Sequence, residues 1–302
     1  MKNISIKSAL LVGSALLGAG TAHAEGLYIG AFGGIGRTDN QSVEQLGTAH
    51  KGYTHDTVYH TYDLPVDQDG NNDRKSSTVF GGQIGYEFGS SSSIKPAIEV
   101  EGLYLSANQE AALANPDDEV PTHIGEIIDG VKSTVTDPED IAAVQEHGTL
   151  AAGTHTFLNT SKLKVGLFML NGVVNFDKGG KLVPYVGAGV GMAVLHQDNA
   201  VSLQTGPGGV EQSAAAGEAV NHLNSRDHAS DFAFAVQAKA GVQYKLSAKT
   251  SLFVEYRYIN LAATEYTFGS TVYADHAATD AWVIKNGSMG LHNAMVGVRF
   301  GF

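Results

Sequence analysis

The chain has 302 residues, a formal net charge of −12 and no cysteine. The acidic balance argues against nucleic acid as a partner, because phosphate binding requires clustered Lys and Arg. The lack of cysteine excludes disulfides, thiolate metal sites and a lipid-modified N-terminal cysteine.

The first 24 residues have the pattern of a secretory signal peptide. Lys2 and Lys7 supply positive charge, an apolar run follows, and the small residues Ala22 and Ala24 suit a cleavage site. The run is shorter than the roughly 20 residues of a membrane-spanning helix. We predict a signal peptide over residues 1–24 and one mature domain over residues 25–302; the alternative is a short core helix of a cytosolic protein.

Eight later segments alternate apolar residues with small or polar ones, which is the period of a β-strand. In chain order they cover residues 26–36, 78–89, 97–105, 164–176, 182–195, 231–244, 251–260 and 292–302. In the second segment Phe80, Ile84 and Tyr86 share one face, and Gln83 shares the other with Glu87. The phase of the glycine-rich first and fifth segments is unclear. An aromatic face opposite a polar one is typical of a transmembrane strand.

The gaps between the segments alternate in length. Residues 89–96, 177–181 and 247–250 form short, turn-like gaps, and residues 36–77, 106–161, 196–230 and 260–289 form long ones. Short turns on one side and long loops on the other are typical of bacterial outer-membrane barrels. We therefore predict an all-β fold, an eight-stranded antiparallel transmembrane β-barrel with long extracellular loops and both chain ends in the periplasm. Ten strands and a soluble sandwich or barrel are the alternatives.

The motifs LNGVVNF, VPYVGAGVG, VEYRY and the ending VGVRFGF resemble the small outer-membrane β-barrel family, which includes OmpA-type barrels and opacity-like surface antigens. The resemblance covers the predicted strands and leaves out the long loops. It implies that Val298, Phe300 and Phe302 form the signal read by the barrel-assembly machinery. OmpA itself continues into a peptidoglycan-binding domain, and none is expected here.

Seven charged residues fall on the predicted lumen face. An eight-stranded barrel is only wide enough for its own side chains, and buried charges are costly unless they are paired. We predict a salt-bridge network that plugs the lumen, and a narrow conducting pore is the alternative. The predicted network comprises Glu87, Glu99, Glu101, Lys239, Glu255, Arg257 and Arg299.

The second long loop is strongly acidic, with ten Asp and Glu residues and one lysine between residues 106 and 161. Within it Asp137 is a suitable helix cap, Pro138 suits the first turn, and Gly148 is a stop signal. We predict a short helix over the barrel mouth; the alternative is a mobile, solvated loop.

Three patterns raise weaker alternatives. The Asp67–Asp73 run spaces carboxylates like a calcium loop but lacks the flanking helices. His50, His55 and His60 recur every five residues, which places neighbours on opposite strand faces. Ser288 and His292 are the candidate residues of a lipid-modifying enzyme, as found among small barrels. We predict no metal site, no cofactor and no catalytic site.

Together these observations predict a structural, surface-exposed protein of the bacterial outer membrane. As the resemblance implies, its extracellular loops would mediate surface interactions as an adhesin or surface antigen. Its partners would be outer-membrane lipid, the barrel-assembly machinery and a host or cell-surface ligand. The runner-up function is a narrow porin for small solutes. Loop ligand and oligomeric state are beyond sequence reasoning, because loop recognition depends on loop conformation.

Overall fold

The computed structural model describes residues 26–89 and 92–302, so the predicted signal peptide lies outside it. Strands dominate this part of the chain. In chain order the elements are β1 (Leu27–Thr38), β2 (Gln41–His55), β3 (Val58–Asn72), β4 (Ser76–Glu87), β5 (Ile94–Ala114), β6 (Thr122–Ile128), β7 (Val131–Thr134), α1 (Pro138–Gly148), β8 (Thr156–Phe176), β9 (Leu182–Gly206), β10 (Gly209–Val210), β11 (Gln212–Ser213), β12 (Glu218–Ala219), β13 (Ala229–Lys245), β14 (Thr250–Leu261), β15 (Thr264–Thr267), β16 (Ala278–Thr279), β17 (Val283–Asn286) and β18 (Met289–Gly301).

Eight of these strands form a closed antiparallel ring. The order around the ring is β1, β4, β5, β8, β9, β13, β14 and β18, and β18 pairs with β1 to complete it. Closure leaves no unpaired strand edge, which is the condition for placing a sheet in lipid. The predicted eight-stranded barrel is confirmed.

The two faces of the ring follow the predicted alternation. Outward side chains such as Phe80, Phe168 and Phe234 are exposed, and inward ones such as Met169 and Ala235 are fully buried. The outward face is apolar and aromatic, whereas the outer face of a soluble barrel is polar. The two unclear segments take the same pattern, and their inward rings are Tyr28, Phe32 and Tyr185.

The apolar outer face has the height of a bilayer core. Along β13, the exposed apolar face runs from Phe232 to Tyr244. Twelve residues of strand span about 40 Å, or about 30 Å along the barrel axis at a tilt of ~40°. This height matches the hydrocarbon core of a bilayer, which is about 30 Å thick.

The short connections lie at one end of the barrel and the long ones at the other, as predicted. The long connections are mostly regular β-structure, however, and not irregular loops. Strands β5, β8 and β9 continue far beyond the predicted boundaries, and the β2–β3 hairpin pairs with β5, β6, β16 and β17. Once a strand leaves the membrane its outward residues become polar, so the apolar alternation that marked the strands ends early. We call this protruding part, formed by residues 39–75, 106–161, 196–230 and 262–288, the extension.

The predicted helix is present in the extension as α1. The Asp137 carboxylate accepts a hydrogen bond of 2.8 Å from the backbone N–H of Glu139, which satisfies one of the free donors at the helix start. Val144 is fully buried and packs with Tyr62 and Leu64 of β3. The helix is therefore fastened to the β2–β3 hairpin. Within residues 26–89 and 92–302, no helix is long and apolar enough to cross a membrane.

Candidate functional site

The centre of the lumen is occupied by Arg257, whose side chain is completely buried. Its guanidinium donates to both carboxylate oxygens of Glu101 at 2.9 and 3.0 Å, and twice to Oε1 of Glu255 at 2.7 and 3.0 Å. The ammonium group of Lys239 also donates to Oε1 of Glu101 at 2.6 Å. These side chains come from β5, β13 and β14, so the pairs tie opposite walls of the barrel together.

The second half of the cluster surrounds Glu99. This carboxylate accepts hydrogen bonds from Lys239, from Arg299 at 2.8 Å and from the hydroxyl of Tyr28 at 2.6 Å. Three carboxylates therefore face three cations, and the cluster is neutral. Burial of ions is tolerated when each charge is paired and hydrogen-bonded, which is the situation here.

Glu87, the seventh predicted lumen residue, lies apart from this cluster near the short-turn end. Its side chain is 31% exposed and accepts a 2.8 Å hydrogen bond from Asn175. Beside it, Asp177 accepts hydrogen bonds from Lys95 at 2.9 Å and Lys245 at 2.7 Å. Burial raises the pKa of Asp177, but these two hydrogen bonds outweigh it and hold that pKa well below its usual range.

Sequence reasoning missed two tyrosines of the lumen. The hydroxyl of Tyr185 donates to Glu255 at 2.9 Å, as that of Tyr28 does to Glu99. Each ring lies over a glycine directly opposite on the neighbouring strand, Gly85 for Tyr28 and Gly241 for Tyr185. A Cβ on Gly241 would approach the Tyr185 hydroxyl to 2.6 Å. Both tyrosines belong to the segments whose phase was unclear, although the facing glycines were a usable signal.

The lumen is also filled above the charged cluster, on the side of the extension. A cavity of about 20 Å³ lies between polar side chains that include Gln109, Asn159 and Gln197. This volume holds about one water molecule. Higher still the interior is an apolar core, in which Phe157 and Trp282 are at most 2% exposed. Obstruction thus extends from the membrane into the extension.

The predicted assembly residues lie on the outer face of β18. Phe300 is 45% exposed and Phe302 is 63% exposed, and Val298 shares their face. The backbone N–H of Phe302 donates to the carbonyl of Leu27 at 3.0 Å, so the last residue sits beside the first barrel strand.

The residues weighed as an enzyme site are placed at the barrel rim. The Nδ1 atom of His292 lies 2.5 Å from the hydroxyl of Tyr256, and its Nε2 atom lies 3.3 Å from Asp39. Ser288 is exposed, and in the described part of the chain its hydroxyl has no hydrogen bond to His292.

Of the residues weighed as metal sites, Asp67 and Asp69 lie on the surface of the extension, where one carboxylate oxygen each of Glu44, Asp67 and Asp69 lie within 4.8 Å of one another. Asp67 and Asp69 lie in extended strand β3, and the neighbouring Glu44 is paired with Lys285 at 2.9 Å. His50 contacts Asp63 at 2.7 Å on the surface of the extension. The Asp67–Asp73 run therefore lacks the looped geometry that a calcium motif requires.

The chain is similar in sequence to a known family and to curated relatives. The sequence profile of the family described as "Surface antigen" matches residues 39–302. An uncharacterized protein of Brucella abortus strain 2308 is 26% identical over 151 residues, which cover 48% of this chain and 49% of that protein. The chain thus spans about half the length of the curated relatives it matches.

Two solved structures are similar over most of the chain. Neisserial surface protein A is 11% identical with a TM-score of 0.37, and the match covers 93% of this chain and 100% of that one. The outer membrane protein OprG of Pseudomonas aeruginosa is 12% identical with a TM-score of 0.43, and covers 93% and 99% respectively.

Proposed function

Because this chain belongs to the surface antigen family, we propose that its extension, and not its lumen, carries the function as an interaction surface. The protein is a surface-exposed β-barrel of the bacterial outer membrane. Family membership and a closed ring with an apolar outer face agree on this location. The extension therefore faces the outside of the cell, and the short turns face the periplasm.

The filled lumen is the observation that carries this proposal. The side chains of Glu99, Glu101, Lys239 and Arg257 are 0% exposed. A conducting pore keeps its lining charges in water, so that ions exchange their hydration shells for those charges. Here the charged side chains form ion pairs with one another, which favours a structural plug over a channel for small solutes.

The extension has the properties of a surface that meets other molecules. The extension is built from paired strands and a capped helix, so its surface is preorganised for binding. Near the tip of the β2–β3 hairpin, Tyr59 is 45% exposed, Ile128 50% and Val131 67%, outside the band that contacts lipid. Ile128 and Val131 are directly paired and Tyr59 pairs with the adjacent Ile127, so these side chains are neighbours, and a contiguous exposed apolar patch is typical of a contact site. We assign no catalytic role to the protein.

Trimming the extension tests this proposal. Ala114 of β5 pairs with Thr156 of β8, so residues 115–155 can be replaced by a two-residue Asn-Gly turn without disturbing the ring. Cells displaying the full-length protein are expected to adhere to cultured host cells or to one another, and cells displaying the trimmed barrel are not. Equal adherence by both would contradict the proposal.

Planar-bilayer recording tests the runner-up. The folded protein is expected to give no reproducible conductance steps. Discrete steps that disappear on heat denaturation would establish the narrow channel instead. Turnover of a lipid substrate that is lost in Ser288→Ala and His292→Ala, with folding retained, would establish an enzyme.

We also propose that outer-membrane lipid surrounds the apolar band and that the assembly machinery reads the outer face of β18. Removal of Phe302 is expected to lower the amount of folded barrel in the outer membrane. In vitro refolding into detergent would remain, because the truncation leaves the β18–β1 register intact.

A further inference from the structure

Three side chains from two separate connections meet inside the extension. Glu211 lies between β10 and β11, His222 follows β12, and His276 lies between β15 and β16. One ligand atom from each can be chosen so that all three lie within 4.8 Å of one another. The Nε2 atom of His222 is 3.4 Å from Oε2 of Glu211, and that of His276 is 3.3 Å from Oε1.

The backbone fixes which ring nitrogens face the centre. Nδ1 of His222 lies 3.2 Å from the carbonyl of Ser202, and Nδ1 of His276 lies 2.6 Å from the carbonyl of Ala277. A carbonyl only accepts, so each Nδ1 carries the hydrogen and each neutral ring turns its Nε2 lone pair inward. Two ring nitrogens and a carboxylate then converge on one point, and a cation there, a metal ion or a ring proton, is held by all three.

The spacing fits a metal ion better than direct hydrogen bonds. Oε2 of Glu211 is buried and has no hydrogen-bond partner. The 3.3 and 3.4 Å separations exceed the usual N–H···O length of about 2.9 Å. Two ligand atoms at ~2.05 Å from a tetrahedral zinc ion are about 3.3 Å apart. The two separations, each to a different oxygen of Glu211, match that edge length.

The ligand set is held rigidly on one side and open on the other. His222 is 2% exposed, and its ring packs edge-on against Phe157 and Trp282 at centroid distances of 5.0 and 5.7 Å. The Glu211 side chain is 35% exposed, which leaves an approach from solvent. Backbone carbonyls that hold the ring N–H groups are the usual outer support of histidine metal ligands.

We propose that Glu211, His222 and His276 form a binding site for a divalent transition metal of the zinc class. Two imidazoles and one carboxylate are a donor set that such ions prefer over calcium or magnesium. The remaining coordination position is open to water. The bound ion joins the connection that follows β9 to the one that follows β15, and so locks the outer surface of the extension.

The chain contains its own reporter for this site. Trp282 is the single tryptophan, and its ring packs against His222. Titrating Co²⁺ into the folded full-length protein is expected to quench its fluorescence and to give the visible absorption of a tetrahedral or five-coordinate ion. Zn²⁺ is expected to displace Co²⁺ with a stoichiometry of one per chain.

The variants His276→Gln and Glu211→Gln test the assignment without touching the packed ring of His222. Each is expected to lower Zn²⁺ affinity at least ~100-fold, since loss of even an outer-shell partner costs 10–100-fold. The matched control is His228→Gln, an exposed histidine nearby in the chain, which is expected to bind like the unaltered protein. Electrophoretic mobility of unheated samples verifies that each variant is folded.

Three results would overturn the proposal. The first is no Co²⁺ or Zn²⁺ binding by the folded protein at millimolar concentration. The second is binding that Glu211→Gln and His276→Gln leave unchanged. The third is binding that His228→Gln lowers as strongly as they do, which would indicate an adventitious surface site.

Discussion

Replacing Arg257 by Met is the sharpest test of the lumen cluster. The substitution keeps a shorter, unbranched apolar side chain and removes four charge-assisted hydrogen bonds, two to Glu101 and two to Glu255. Glu101 then retains Lys239 and Gln237, and Glu255 retains the hydroxyl of Tyr185. The cluster becomes one negative charge in excess within a space closed to water.

The expected cost follows from that uncompensated charge. Breaking a buried pair by removing one partner costs about 3–5 kcal/mol. A loss of about 4 kcal/mol lowers the equilibrium constant for folding by roughly 10³. Adding Glu101→Gln restores neutrality, so the double variant is expected to be more stable than the two single losses predict, by at least ~1 kcal/mol.

Urea titration of the protein folded in lipid vesicles measures these differences, with the folded fraction read from the mobility of unheated samples. The matched control is Arg37→Met, because Arg37 is an exposed arginine of β1, and its change is expected to stay within about 0.5 kcal/mol. The reasoning is refuted if Arg257→Met costs less than ~1 kcal/mol, or if its loss and that of Glu101→Gln simply add.

Three further predictions concern other parts of the molecule. Gly241→Ala pushes a Cβ into the Tyr185 ring and is expected to destabilise the barrel by about 1–3 kcal/mol. The control is Gly172→Ala, whose added Cβ would have no atom within 4 Å and which should be neutral in the same urea titration. Thr57 has a φ of +73° in the β2–β3 turn, so Thr57→Gly is expected to stabilise the hairpin by ~1 kcal/mol, seen as slower amide exchange there. Zn²⁺ at 100 times its Kd is expected to protect the extension from proteolysis by about 2.7 kcal/mol, an effect that chelation and Glu211→Gln both remove.

The barrel strands could be predicted from the sequence because one physical constraint acts on every second residue of each strand. Lipid on one side and a narrow lumen on the other force the alternation of Phe234 and Val236 with Gln237 and Lys239, so strands and faces were readable. The helix was readable for a similar reason, because Asp137 as cap and Pro138 in the first turn act locally.

Features that depend on contacts between distant residues could not be predicted from the sequence. The predicted lumen network included Glu87 because sequence position gives depth only to within several residues. The strand register places Glu87 near the short turns, where it pairs with Asn175 and Lys95. The long gaps were described as loops because their alternation loses its apolar half outside lipid, although β5, β8 and β9 continue through them. The Glu211 group has no spacing motif, since its members come from two connections.

The sequence by itself therefore determined the barrel, its strand number and the faces of most strands, because these depend on periodicity and on the solvent that each face meets. The tertiary structure alone decided which charges meet, that they balance three against three, and that the long connections fold into an ordered extension. Pairing between residues as distant as Glu99 and Arg299 depends on strand register and ring closure, which no local pattern contains.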